Sequence, residues 1–132
     1  MRTIIRTSRQ APLEVRGEVV HAVTWHVRPT TWSPPTDVYE TETEYVVRLE
    51  VAGMREEDFE VVLENNVLFI AGVRQDLPGR RAYHQMEIRF GKFVNSIDLP
   101  GAVDPDVAAA QYSQGFLTVH LPRAKPQNVS RE

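Results

Sequence analysis

The stretch 110–123 constrains the fold of this chain more than any other part of its sequence. Gln114 and Gly115 predict a tight turn, because glycine adopts a positive φ angle without a Cβ clash. After the turn, aliphatic residues alternate with polar ones, and a period of two places the aliphatic residues on one face of a strand; they are Leu117, Val119 and Leu121. Pro122 ends the run, since proline cannot donate to a β ladder. Two strands joined by a tight turn are therefore predicted close to the end of an all-β domain.

Further strands are predicted at 36–40, 44–52, 59–64 and 67–73. Asn65 and Asn66 predict a two-residue hairpin turn, because asparagine tolerates the left-handed region. Residues 55–58 leave room for one helical turn at most. Short strands at regular spacing, without helical periodicity, indicate an antiparallel, immunoglobulin-like β-sandwich over residues 33–122.

Residues 74–82 are polar, contain Pro78 and Gly79, and are predicted to leave the sheet. A long strand is expected to follow at 83–99, with a bulge or bend at Gly91. Its candidate core residues are Met86, Ile88, Phe90, Phe93 and Ile97.

Two segments flank the domain, an N-terminal arm at 1–32 and a short tail at 123–132. The arm contains several aliphatic residues and a weak strand pattern at 19–27, and it is too apolar for an inert tail. It is interpreted either as an extra strand or tucked-in extension, or as an adhesive, partly disordered arm that binds other chains or clients.

The composition limits the chemistry that is expected of the chain. A net charge of −3 is atypical of a general nucleic-acid binder. The sequence contains zero cysteines, which excludes disulfides and thiolate catalysis and fits a cytoplasmic protein. We expect no secretory signal and no membrane partner. The four histidines have no ligand-like spacing, and no nucleophile or phosphate-binding motif occurs, so we expect no catalytic residue, cofactor or metal.

Four segments resemble the α-crystallin domain of the small heat-shock protein family. They read PPTDVYET at 34–41, VAGMREEDFEV at 51–61 with NNVLFIAG at 65–72, YHQMEIRFGKF at 83–93 with DLP at 98–100, and AxYxxGFLTVHLP at 110–122. The resemblance implies an ATP-independent holdase that binds unfolding proteins through exposed apolar surface. It also implies a homodimer in which the loop 74–86 pairs with the edge of the neighbouring subunit. The implied interface residues are Val38, Tyr39, Arg80, Arg81, Tyr83 and His84.

The tail departs from the pattern of family members that build large oligomers. Those members carry I-x-I or V-x-I, whose aliphatic side chains fill a groove of another subunit. Here Val129 is the only aliphatic residue beyond Ala124, and Arg131 stands two positions later. We therefore expect a dimer or small, labile assemblies, and an open groove if nothing fills it from within. By the resemblance it would be lined by Val61, Val62, Leu63, Ala109, Ala110 and Tyr112, and would contact clients together with the arm.

Two other classes remain open at this point. A CS-domain-like co-chaperone shares the sandwich but works as a monomer, so a monomeric mass in solution would favour it. A ligand-binding or sugar-binding sandwich would need exposed aromatic residues near a loop end, and only Trp25 and Trp32 qualify.

Overall fold

A computed structural model describes residues 2–5 and 32–125. The strands are β1 (Arg2–Ile4), β2 (Thr36–Glu40), β3 (Glu44–Glu50), β4 (Phe59–Glu64), β5 (Val67–Arg74), β6 (Gly91–Asp98), β7 (Ala109–Ser113) and β8 (Phe116–Pro122). They form two four-stranded antiparallel sheets, ordered β1-β4-β5-β6 and β2-β3-β8-β7. The predicted β-sandwich is confirmed. The expected strand at 19–27 and Val129 lie outside the described residues.

The core lies between the inner faces of the two sheets. In the second sheet, Leu49 of β3 stands opposite Leu117 of β8, and Val47 stands opposite Val119. All four side chains are fully buried, and burial of each contributes about 1.5–3 kcal/mol. The alternation in 117–121 therefore faces the core, as predicted.

The two short turns that the sequence predicts are both two-residue hairpin turns. Asn65 and Asn66 have φ angles of 53° and 64°, and Gln114 and Gly115 have 53° and 86°. Two successive positive φ angles match the right-handed twist of the flanking strands. These turns fix the registers of β4 with β5 and of β7 with β8. The single helical turn is also present, as a 3₁₀ turn at Glu56–Asp58.

The predicted strand at 83–99 is wrong in its first half. In the structure β6 begins only at Gly91, whose φ of 106° marks the bend. Gly91 pairs with Arg74, the last residue of β5, so within residues 2–5 and 32–125 no strand of this sheet lies beside the residues before Gly91. Met86 and Ile88 are exposed, which corrects their placement in the core, whereas Phe93 is fully buried.

Candidate interaction surfaces

The loop at 76–83 is folded around the Arg81 side chain. Its guanidinium donates to the carbonyls of Leu77, Pro78 and Gly79 at 2.9–3.0 Å. It also donates to the Asp76 carboxylate at 3.0 Å and to the Tyr83 hydroxyl at 2.9 Å. The hydrogen bond to Tyr83 is the main cause that raises the pKa of Arg81 above its ordinary value. Arg81 therefore gives the loop its shape, a role that the sequence pattern did not reveal.

Apolar side chains are concentrated on this segment and on β2. Leu77 and Ile88 are each 66% exposed and Met86 is 59% exposed. Tyr83 joins them from the loop, and Val38 and Tyr39 are about half exposed on β2. Arg80 and His84 are also exposed. All six predicted dimer residues thus lie on accessible surface. Leu77, Met86 and Ile88 lie on the same surface, although Met86 and Ile88 were expected in the core and Leu77 was not predicted as a site residue.

The strand β2 is the edge of its sheet among the described strands. Each edge strand presents unpaired backbone N–H and C=O groups on its outer side. In β2 these groups lie between exposed apolar side chains, Val38 on one face and Tyr39 on the other. This combination is what an added strand requires, because the backbone supplies hydrogen bonds and the side chains supply burial.

Trp32 and Arg74 hold the two ends of the segment 75–90 against the sandwich. The Trp32 Nε1 donates to the Gly91 carbonyl at 2.8 Å, and its ring packs edge-on against Phe93 with 5.4 Å between centroids. The Arg74 guanidinium lies 4.2 Å from the Trp32 ring centroid. It donates to the Arg89 carbonyl at 2.6 and 3.0 Å and to the Ala52 carbonyl at 3.2 Å. The segment therefore leaves and rejoins the sandwich at a fixed place.

A shallow depression of about 620 Å³ opens beside these contacts. Ile88 and Arg89 form one side, and Trp32, Pro35 and Ala52 contribute to the rest of its lining. The exposed end of the segment 75–90 thus faces the start of β2 across an open hollow.

The predicted groove lies between β4 of one sheet and β7 of the other. In the described chain this groove is filled from within, because β1 pairs with β4. The partners are Arg2 with Glu64, Thr3 with Leu63 and Ile4 with Val62. The next residue, Ile5, donates its N–H to the Val61 carbonyl at 2.9 Å, and its side chain is 3% exposed within the hydrophobic core.

Strand alternation divides the predicted groove residues between two faces. Val61, Leu63 and Ala110 belong to the core cluster, and Tyr112 packs against it. Val62 is buried but lies outside that cluster, and Ala109 is exposed. Val62 and Ala109 are therefore not inner-face lining residues, since successive side chains of a strand point to opposite faces.

Tyr112 is fixed by hydrogen bonds to the residues that follow β3. Its hydroxyl donates to the Val51 carbonyl at 2.7 Å and accepts from the Met54 N–H at 3.3 Å. Its ring lies 5.1 Å from that of Phe59. Tyr112 therefore closes one end of the groove and holds β7 against the 3₁₀ turn before β4.

The described residues contain neither a metal-binding cluster nor a membrane-spanning helix. Within residues 2–5 and 32–125, no group of three or more His, Asp or Glu side chains is arranged to hold a metal ion. In the same part of the chain, no helix is long and apolar enough to cross a membrane.

A model of the Hsp20/alpha crystallin family matches residues 37–132, which include all of β3 to β8 and all but the first residue of β2. The chain belongs to this family. The match begins within β2 and contains both hairpins, the segment 75–90 and the groove residues of β4 and β7. The resemblance inferred from the four sequence segments is thereby confirmed.

Individual relatives agree with the family assignment. A small heat shock protein of Rickettsia felis is 28% identical over 108 residues, covering 80% of this chain and 66% of the relative. Heat shock protein 16 of Schizosaccharomyces pombe is 31% identical over 108 residues, covering 79% and 76%. The chain thus spans slightly less than two thirds of the length of the Rickettsia relative.

Solved structures of the family share the fold. Heat shock protein 16.0 of Schizosaccharomyces pombe superposes with a TM-score of 0.66 at 30% identity, covering 76% of this chain and 96% of that one. A small heat-shock protein of Xylella fastidiosa gives a TM-score of 0.69 at 26% identity, covering 77% and 95%. The latter is described as having a distinct high order structure.

Proposed function

We propose that this chain is a chaperone of the holdase type, which binds unfolding proteins without ATP and keeps them from aggregating. The observation that carries the proposal is the membership of the folded domain in the Hsp20/alpha crystallin family, together with the apolar side chains of Val61, Leu63 and Ala110 at the groove between β4 and β7. Six of the seven large hydrophobic side chains that are exposed in the described residues lie on β2 or the segment 77–88. Such a concentration marks a surface that binds other chains.

The first occupant of this surface is a second copy of the chain. In the proposed homodimer, part of the segment 75–90 lies beside β2 of the partner subunit as an additional strand. The alternation of Met86 and Ile88 with polar residues supports this arrangement, because it is a strand pattern in a segment that has no strand neighbour among the described residues of its own chain. The pairing would cover exposed apolar side chains and the unpaired edge at once.

The second part of the proposal concerns the clients and the assembly. We assign client contact to the groove between β4 and β7, with further contacts from the arm, whose residues 6–31 lie outside the described part. The tail, with Val129 as its one aliphatic residue beyond Ala124, supports a dimer or small, labile assemblies. A cytoplasmic location is supported by the composition with zero cysteines, and cell fractionation would test it.

The experiment that tests the proposed function is heat aggregation of a test client followed by light scattering. The wild-type chain is added at increasing molar ratios in buffer without nucleotide, and an unrelated soluble protein of equal mass serves as control. We expect scattering to fall with increasing ratio and to be unaffected by later addition of ATP. Scattering equal to that of the control at every ratio would contradict the proposal, and suppression that requires ATP would contradict its mechanism.

A further inference from the structure

The N-terminal residues 2–5 occupy the groove in which the proposed function places clients. Ile5 follows β1, and its N–H donates to Val61, so Ile5 stands beside an inner-face residue of β4. Its buried side chain belongs to the same hydrophobic cluster as Leu63 of β4 and Ala110 of β7. An aliphatic side chain from the beginning of the chain therefore fills the space between the two sheets.

The segment is paired with its sheet over fewer residues than the neighbouring strands are. β1 contains three residues, whereas β4 and β5 contain six and eight. β1 is also the edge of its sheet, so it is held on one side only within the described chain. If it leaves, β4 becomes the edge and presents unpaired backbone groups beside an apolar cavity.

The tether gives this weakly attached segment a high local concentration. Residues 6–31 connect Ile5 to Trp32, which is itself buried against the sandwich. Because the segment is covalently connected to the domain, its binding is intramolecular, so it competes with dilute ligands but yields to a well-matched strand.

We infer that Ile5 and β1 form an intramolecular plug that closes the client groove in the resting chain. An unfolding client displaces the plug by adding an extended segment to β4, with an aliphatic side chain in the position of Ile5. The alternation of Val61 and Leu63 on the inner face selects for such segments, because an added strand offers every second side chain to the groove. That an unfolding client is what displaces the plug rests on the proposed function. That the plug closes the groove rests on the pairing of β1 with β4.

The test uses a fluorescently labelled peptide of residues 1–8, MRTIIRTS, and full-length chains. The plug of the wild-type chain competes with the peptide, whereas Ile5→Asp removes the buried aliphatic group and releases the groove. Fluorescence anisotropy is expected to show about tenfold tighter peptide binding to Ile5→Asp than to the wild type, with Ile5→Ala in between. The matched control Val107→Asp changes an exposed valine outside the groove and is expected to bind like the wild type.

Equal affinity of the wild type, Ile5→Ala and Ile5→Asp for the peptide would overturn the inference. The inference would also be overturned if dilution of the wild type lowered its mass and strengthened its peptide binding. That result would mean that the plug comes from a second copy of the chain. Circular dichroism shows whether each variant folds, and Ile5→Ala supplies the comparison if Ile5→Asp does not.

A second measurement separates the plug from the proposed function. In the aggregation assay, Ile5→Asp is expected to suppress scattering at a lower molar ratio than the wild type does. Tighter peptide binding without improved suppression would overturn the role of the groove in client binding. If neither chain suppresses aggregation while their peptide affinities differ as expected, the plug is supported and the holdase function is contradicted.

Discussion

The indole Nε1 of Trp32 donates a 2.8 Å hydrogen bond to the backbone carbonyl of Gly91. This bond joins the residue just before the predicted domain to the first residue of β6, where the exposed segment 75–90 rejoins the sandwich. The stacked Arg74 guanidinium connects the same indole to the Arg89 carbonyl. The position of the segment that we assign to dimerisation therefore depends on a tryptophan from the N-terminal side of the domain.

Replacement of this indole with a benzene ring should weaken the domain. Trp32→Phe retains much of the apolar contact with Phe93 but removes the donor to Gly91, and we expect a loss of about 1–2 kcal/mol in the free energy of unfolding. Urea unfolding followed by circular dichroism measures it. The control Val107→Ala, at an exposed residue, should stay within about 0.5 kcal/mol of the wild type. Equal stability of Trp32→Phe and the wild type would contradict the anchoring role of Trp32.

Gly72 leaves room for the Phe93 ring in the centre of the core. A Cβ atom at position 72 would stand 2.9 Å from Phe93 Cζ and 3.0 Å from Cε2, which is closer than van der Waals contact. Gly72→Ala should therefore destabilise the domain by about 1–3 kcal/mol, since overpacking forces rings and backbone to shift. Phe93→Leu in the same chain should recover part of this loss in a double-mutant cycle, and purely additive effects would contradict the proposed contact.

The proposed exchange of the segment 75–90 can be tested with cysteines, because the natural sequence has zero. One chain carries Val38→Cys or Tyr39→Cys, and a second chain carries Met86→Cys or Ile88→Cys. After mixing and oxidation, we expect a disulfide between the two different chains for at least one combination, since strand neighbours bring Cβ atoms within reach.

The control for this experiment pairs Val107→Cys, an exposed site outside both surfaces, with the same partners. Crosslinking no greater than this control in all four combinations would contradict the exchange. A chain carrying both Val38→Cys and Ile88→Cys adds a further check, because efficient closure within one chain at high dilution would place the segment beside its own β2.

The sandwich could be predicted because its strands and turns show clear local sequence patterns. In 117–121 each inward side chain is aliphatic, and Asn65 with Asn66 specifies a hairpin without reference to the rest of the chain. Local alternation and turn chemistry are sufficient there. The family resemblance rested on these same segments and was confirmed.

The segment around Met86 and Ile88 shows where such reasoning fails. Its alternation indicates a strand with one apolar face, but the pattern does not say which chain supplies the neighbouring strand or the cover. Assigning both residues to the core of their own domain was therefore wrong. The bend expected at Gly91 already indicated that these residues could lie outside the paired part of the strand, and β6 does begin at Gly91.

The sequence pattern alone did not predict two features of the groove. The residues named for it were taken consecutively along each strand, and alternation sends Val62 and Ala109 away from the inner faces. The segment that fills the groove was also missed, because the residues around Ile5 are too few to show a period. A pairing that depends on a distant strand edge has no local pattern, so only the fold reveals it.

The account depends most directly on one comparison, the mass of the protein in solution before and after heating with a client. Size-exclusion chromatography with light scattering is applied to the chain alone and then to the heated mixture without ATP. We expect twice the 15.1 kDa chain mass, or a small assembly that dissociates on dilution, and after heating a soluble complex that contains both proteins. A monomeric mass at all concentrations, together with precipitation of the whole client at excess chain, would contradict the account.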